Sequence, residues 1–406
     1  MSRPVSWKLN LAMLWFSQLV ILAGFQALIP FVPLFIKNEL GIVDEAELAF
    51  AVSAFNFFGT MAYAIFNPIW GVLADRFGVK PMLLRGTFLT GIFFPLMAYS
   101  NTVFLLVVLR FISAACAGTT AASQMMIVRN TPDEHQGFAL GVLTTAIWGG
   151  AMLGYVIGGL LIHYFDYTMA FWVCGALYLL GGISILFTRD GEIHAAPVKK
   201  HHDSNGLSFL IPKFSHAVWI MLGLFFLLGI IRTFEVAYIA LKVEELTSAE
   251  TAALWTGITS AAVCAAAIIS GVVSGYLVDR LPAGNILIPV MLISAVALVL
   301  QGWADNLWCF AAGRVLLYIA AGGLQPVLQK VLSSVTAARK RGAVFGFASS
   351  CQSCGGMTSA VLSGIVMTCI SVSGVFYVAA LCFLIALPIC LYGISNASRP
   401  FKFHRA

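Results

Sequence analysis

Four charged side chains stand inside long apolar runs of this 406-residue chain: Arg110, Arg232, Glu235 and Arg314. A charge held inside a membrane is costly and marks an ion or substrate path by default. Arg232 and Glu235 belong to Ile230-Ile-Arg-Thr-Phe-Glu-Val-Ala-Tyr238, and an i, i+3 spacing puts them on one helical face. A carboxylate that meets water first on one side of a barrier and then on the other can carry a proton across. Glu235 is the only carboxylate inside a predicted span, so it is the first candidate for proton coupling, with Arg232 and Arg110 beside it. The competing reading is a static Arg232–Glu235 ion pair. For Arg110 and Arg314 the alternatives are cavity-facing cations or structural groups bonded to backbone carbonyls.

Mild polar and aromatic residues complete a candidate substrate cavity. Ser113, Thr120 and Gln124 follow Arg110 at near-helical spacing, and Tyr318 and Gln325 follow Arg314 in the same way. Gln26, Asn56, Trp148, Tyr238 and Gln352 join them. Aromatic and amide groups suit bulky, partly apolar solutes better than small ions, although each alone also fits ordinary helix packing.

The elements that must position these residues are membrane helices. The chain is 60% hydrophobic and 10% charged, with a mean hydropathy of +0.93, whereas soluble domains carry about 25% charged residues. A spanning helix needs about 20 apolar residues. Twelve such runs occur, at 10–36, 48–70, 81–100, 102–127, 137–163, 168–188, 216–241, 252–277, 284–303, 307–330, 342–368 and 373–395. They are called spans one to twelve below. The ten-residue alternation of a transmembrane β-barrel is missing. The first run is too long for the apolar core of a cleaved signal peptide and reads as a span.

Charge sets the orientation. Outside the spans, only Lys37 and Lys242 among the basic residues fall in the odd-numbered loops, and Glu39, Asp44, Glu45, Glu47, Glu244, Glu245 and Glu250 crowd two of those loops. By the positive-inside rule the even-numbered loops and both termini are cytoplasmic. The net charge of +6 is therefore a topology signal rather than a nucleic-acid patch. Residues 1–188 are expected as one six-helix half, 189–215 as a polar cytoplasmic linker, and 216–406 as the second half with a short tail. His201-His202 in the linker lacks the carboxylates or thiols of a metal site. The nine cysteines sit in or at the edge of apolar spans, so no disulfide framework is expected. Cys351-x-x-Cys354 reads as small residues at a helix contact.

A repeat supports the two-half organisation. Gly71-Val-Leu-Ala-Asp75-Arg76 reappears as Gly275-Tyr-Leu-Val-Asp279-Arg280, and Arg110 and Arg314 keep the same offset of 204 residues. Internal repeats of this size are how many secondary transporters are built. The stretch Gly71 to Leu84 resembles the signature loop of the major facilitator superfamily, G-x-L-[A/S]-D-[R/K]-x-G-R-[R/K], at Gly71, Leu73, Ala74, Asp75, Arg76, Gly78 and Lys80, with Val79 where an arginine is usual. Span five, with Gly141, Gly150, Gly154, Gly158 and Gly159, resembles the glycine motif of that superfamily's drug/proton antiporters, with Tyr155 replacing the motif proline. Arg110 is placed like the arginine of the family's span-four motif.

The resemblance implies an all-α membrane fold of twelve helices in two pseudo-symmetric halves, with the Gly71–Lys80 loop and its partial copy at Asp279 and Arg280 acting as a cytoplasmic conformational latch. It further implies proton-coupled efflux of amphipathic, drug-like molecules across a bacterial cytoplasmic membrane, with an exporter of a sugar, siderophore or lysolipid as the alternative. The expected partners are the small-molecule substrate, protons and membrane lipids, with no nucleic acid, and a monomer is expected. No cofactor or metal is expected, and no Gly-x4-Gly-Lys-Ser/Thr phosphate loop is present for direct use of ATP. A membrane-embedded enzyme would need a convergent nucleophile, base or metal set, and no histidine lies mid-span to supply one.

Overall fold

A computed structural model describes residues 7–132, 135–189, 214–278, 280, 281, 283–322, 324–336 and 341–397. The predicted linker lies almost wholly outside the described residues. The described chain is helical throughout, with twelve spans in two six-helix halves and no strand. Nine helical stretches among the described residues are long and apolar enough to cross a membrane. Spans three, ten and eleven complete the set as Val79–Met97, Leu307–Ala321 with Leu324–Ser334, and Arg341–Cys369. Helix starts follow local chemistry. Asp44, Thr102, Asp166 and Asn306 each accept a backbone N–H three residues on, at the starts of spans two, four, six and ten. Gly78, at φ +94°, makes the tight turn from span two, Glu45–Phe77, into span three.

Four spans are broken in mid-course, and the breaks obey the repeat. Span one runs Trp7–Gln26, a 3-10 turn at Ile29–Phe31, then Val32–Asn38. Span seven copies it as His216–Thr233, a turn at Val236–Tyr238, then Ile239–Leu246. Span four stops at Cys116 and restarts at Thr119 after Gly118, whose φ of +111° suits glycine. Span ten breaks at Gly322, the equivalent position. Broken helices free backbone groups, which is tolerated at membrane depth only inside protein or beside a cavity.

Glycine sets how closely the spans approach. A Cβ at Gly150, Gly154 or Gly158 would collide with the carbonyl oxygens of Leu19, Ala23 and Ala27, so two four-residue ladders interlock between spans five and one. The second half repeats this between spans eleven and seven: Gly355 presses on the Phe226 carbonyl and Gly229 on that of Gln352. The two halves meet chiefly through spans five with eight and two with eleven.

These contacts gather at one end of the bundle. Lys37 pairs with Glu244 at 2.6 Å, Ser53 and Tyr238 share a hydroxyl hydrogen bond of 3.2 Å, and His163 Nδ1 lies 2.8 Å from the Glu250 carbonyl oxygen. Gly159 lies where a Cβ would stand 2.8 Å from the Ala253 carbonyl oxygen. At the opposite end, added Cβ atoms at Gly71 and Gly141 would meet nothing within 4 Å. The bundle is closed at the end predicted to face outward.

Candidate functional site

A central cavity of about 180 Å³ lies among spans one, five, seven, eight and ten. Gln26, Trp148, Arg232, Arg314 and Tyr318 line it. Tyr155, Thr256 and Ser260 line it as well. Sequence reasoning treated Tyr155 only as a departure from a motif. Thr256 and Ser260 were missed, although their i, i+4 spacing on an apolar span was the available signal.

The charges are arranged differently from the spacing argument. Arg232 Nη1 donates to Gln325 Oε1 across to span ten. The ion pairs among the described residues, Lys37–Glu244 and Lys242–Glu245, both stand at the end predicted to face outward, and none joins Arg232 to Glu235. Glu235 is 2% exposed. It shares a smaller cavity of about 20 Å³ with Arg232 and Tyr318. Arg314 is also 2% exposed, with its guanidinium 5.8 Å from the Tyr318 ring and 6.0 Å from that of Phe310. Its Nε and Nη1 have no hydrogen-bond partner. Aromatic faces offer a cation some compensation there, but less than a counter-ion would.

Arg110 does not share this cavity with Glu235, which corrects the expectation that they face one space. It lines a separate one of about 330 Å³ with Phe25, Gly59, Thr60, Tyr63 and Tyr178. The side chain lies across Gly59, where a Cβ would stand 2.5 Å from Nε. Thr120 lines the same space and donates to Gln18 Oε1 at 3.1 Å. Ser113 is buried and donates to the Arg110 carbonyl at 3.1 Å, while Gln124 is exposed. Asn56 is spent on its own helix, donating to the Val52 carbonyl at 2.9 Å. Tyr238 is fully buried against Ser53, and the Gln352 backbone packs on Gly229.

In the Gly71–Lys80 loop, Lys80 Nζ donates to the Leu186 and Thr188 carbonyls at 2.7 and 2.6 Å, tying the start of span three to the end of span six. Arg76 is exposed beside the Phe77 ring, 5.4 Å away, and Arg280 is exposed too. The Asp75 side chain and Asp279 lie outside what the structure describes. Among the described residues no cluster of three or more His, Cys, Asp or Glu could hold a metal, and the nine cysteines are free.

Comparison with known proteins bears on this arrangement. A family model described as Major Facilitator Superfamily matches residues 14–300 and 244–404. The chain is 27% identical over 393 residues to the multi-drug resistance efflux pump PmrA of Streptococcus pneumoniae, covering 93% of this chain and 94% of that protein. It is 28% identical over 383 residues to the multidrug resistance protein MdtG of Salmonella paratyphi B, covering 93% of each. Among solved structures, an auto-inhibited POT family peptide transporter superposes with a TM-score of 0.77 at 13% identity, over 98% of each chain. A bacterial homologue of the human lysosomal transporter Spinster, in an inward-facing and occupied conformation, gives 0.74 at 15% identity, over 99% of this chain and 98% of that one.

Proposed function

This chain belongs to the Major Facilitator Superfamily, and on that premise we propose that it exports amphipathic, drug-like molecules across the cytoplasmic membrane in exchange for protons. The observation that carries the reading is Glu235: a buried carboxylate at the break of span seven, in a small cavity with Arg232 and Tyr318, which also line the central cavity. Support for the cargo comes from the names of the two relatives, each similar over most of its length.

In this reading the contacts gathered at the outer end describe an inward-facing state, with both termini in the cytoplasm. Substrate enters from the cytoplasm or inner leaflet. The half at 1–188 then rocks against the half at 216–406, joined by the linker at 189–215, and the cavity opens outward. Protonation of Glu235 removes its attraction for the two arginines and shifts the balance of states. The Gly71–Lys80 loop, with Asp75 and Arg76, latches the inner end when the outer end opens. The protein works as a monomer.

Proteoliposomes with an imposed pH gradient test this against a panel of aromatic amphiphiles of each charge, sugars and lysolipids. Saturable accumulation of amphiphiles that collapses with the gradient is expected. Movement of sugars or lysolipids with amphiphiles excluded would overturn the substrate assignment. Indifference to the gradient would overturn the coupling.

A further inference from the structure

The two arginines of the repeat have unequal company. Arg314 stands within electrostatic reach of Glu235, the residue that immediately precedes the 3-10 turn of span seven. The residue that immediately precedes the matching turn of span one is Leu28. The first half therefore copies the cation and leaves out the carboxylate. The acidic residues of span two, Glu45, Glu47 and Asp75, stand at its ends. Arg110 Nε has no hydrogen-bond partner, and the guanidinium lies 5.4 Å from the Phe25 ring and 5.3 Å from that of Phe55. Its cavity, about 330 Å³, falls within the size range of sites that bury a small organic ligand, roughly 300–1,000 Å³.

We propose that the Arg110 cavity is a headgroup subsite for the anionic group of an aromatic amphiphile, so that the exported compounds are aromatic anions or zwitterions. Transport of these compounds rests on the export reading, and their recognition rests on the cavity alone. A guanidinium out of water needs a counter-charge, and the substrate supplies the one that Leu28 does not. Its planar fork matches carboxylate, sulfonate or phosphonate oxygens. Phe25, Tyr63 and Tyr178 line the same cavity and supply aromatic surface for the apolar part. Mid-membrane charge balance agrees: Arg110, Arg232 and Arg314 stand against Glu235, the one carboxylate away from the span ends among the described residues. Phe25 lines this cavity and Gln26 the central one, so a molecule anchored here lies against the central space across the end of the first helix of span one.

The test uses the full chain in lipid nanodiscs and three ligands that share one fluorophore: dansylglycine, its neutral amide, and a cationic dansyl amine. Binding of the carboxylate about tenfold or more tighter than the amide is expected, equivalent to about 1.4 kcal/mol. Arg110→Gln should erase that difference while amide binding persists, which also shows that the variant is folded, and Arg110→Lys should restore part of it. Equal or tighter binding of the amide or the cation by the wild-type protein would overturn the proposal, as would failure to bind any of the three. If pH-driven transport of cationic dyes persists in that case, the export reading stands without the anion subsite. If the carboxylate binds through Arg110 but nothing is transported, the export reading fails and the subsite remains.

Discussion

Glu235 stands two residues beyond the last α-helical residue of its helix, Thr233, and this decides its partners. The sequence made the residue conspicuous as a carboxylate in an apolar run. Helical spacing also brings Arg232 near Glu235, and the two share one small cavity, but the α-helix has already ended and no ion pair forms between them. Arg314, brought in by the packing of span ten, has no local sequence signal linking it to Glu235. Glu235→Gln keeps the shape and fixes the uncharged form. It should abolish dependence of transport on the pH gradient while leaving energy-independent substrate exchange within about threefold of wild type, a difference of about 0.7 kcal/mol. Exchange and gradient-driven uptake in the same proteoliposomes check this. Undiminished gradient-driven uptake by the variant would remove Glu235 from the coupling role.

Among the elements, the glycines of span five were readable one by one, since five of them fall on a family spacing. What they touch was not, because a spacing names no partner. Gly150, Gly154 and Gly158 meet span one, whereas Gly159 turns to span eight, so one helix binds its own half and the other half through adjacent residues. The breaks in spans one, four, seven and ten were also hidden: an apolar run long enough to cross the membrane looks the same whether or not its helix is continuous. Gly118 and Gly322 share the repeat offset, and that was the available sign. Gly158→Leu places a side chain against the Ala27 carbonyl and the Phe31 ring, neither of which can yield cheaply. Overpacking costs about 1–3 kcal/mol. A lower thermal midpoint in detergent and loss of transport are expected, whereas Gly141→Leu, with open space at its Cβ, should keep the wild-type midpoint. Equal midpoints for the two variants would contradict this packing.

For the whole molecule, composition, charge placement and repeat were enough to reach a twelve-helix membrane fold. They could not say which end of the bundle is closed, because that depends on pairs such as Lys37 with Glu244, whose partners are far apart in sequence. A bundle closed at one end has, in the alternating-access reading, a counterpart state in which the other end closes. Export against a gradient requires that substrate and protons be carried in different states. The most direct measurement is therefore of the proton itself. Proteoliposomes holding the purified protein and a trapped pH dye are given a substrate gradient with no pH gradient. The account predicts that substrate entering the lumen drives protons out, so that the lumen becomes alkaline at a rate that saturates with substrate, and that Glu235→Gln abolishes the signal while substrate still moves. Substrate movement by the wild-type protein with no change in lumenal pH would contradict proton-coupled export.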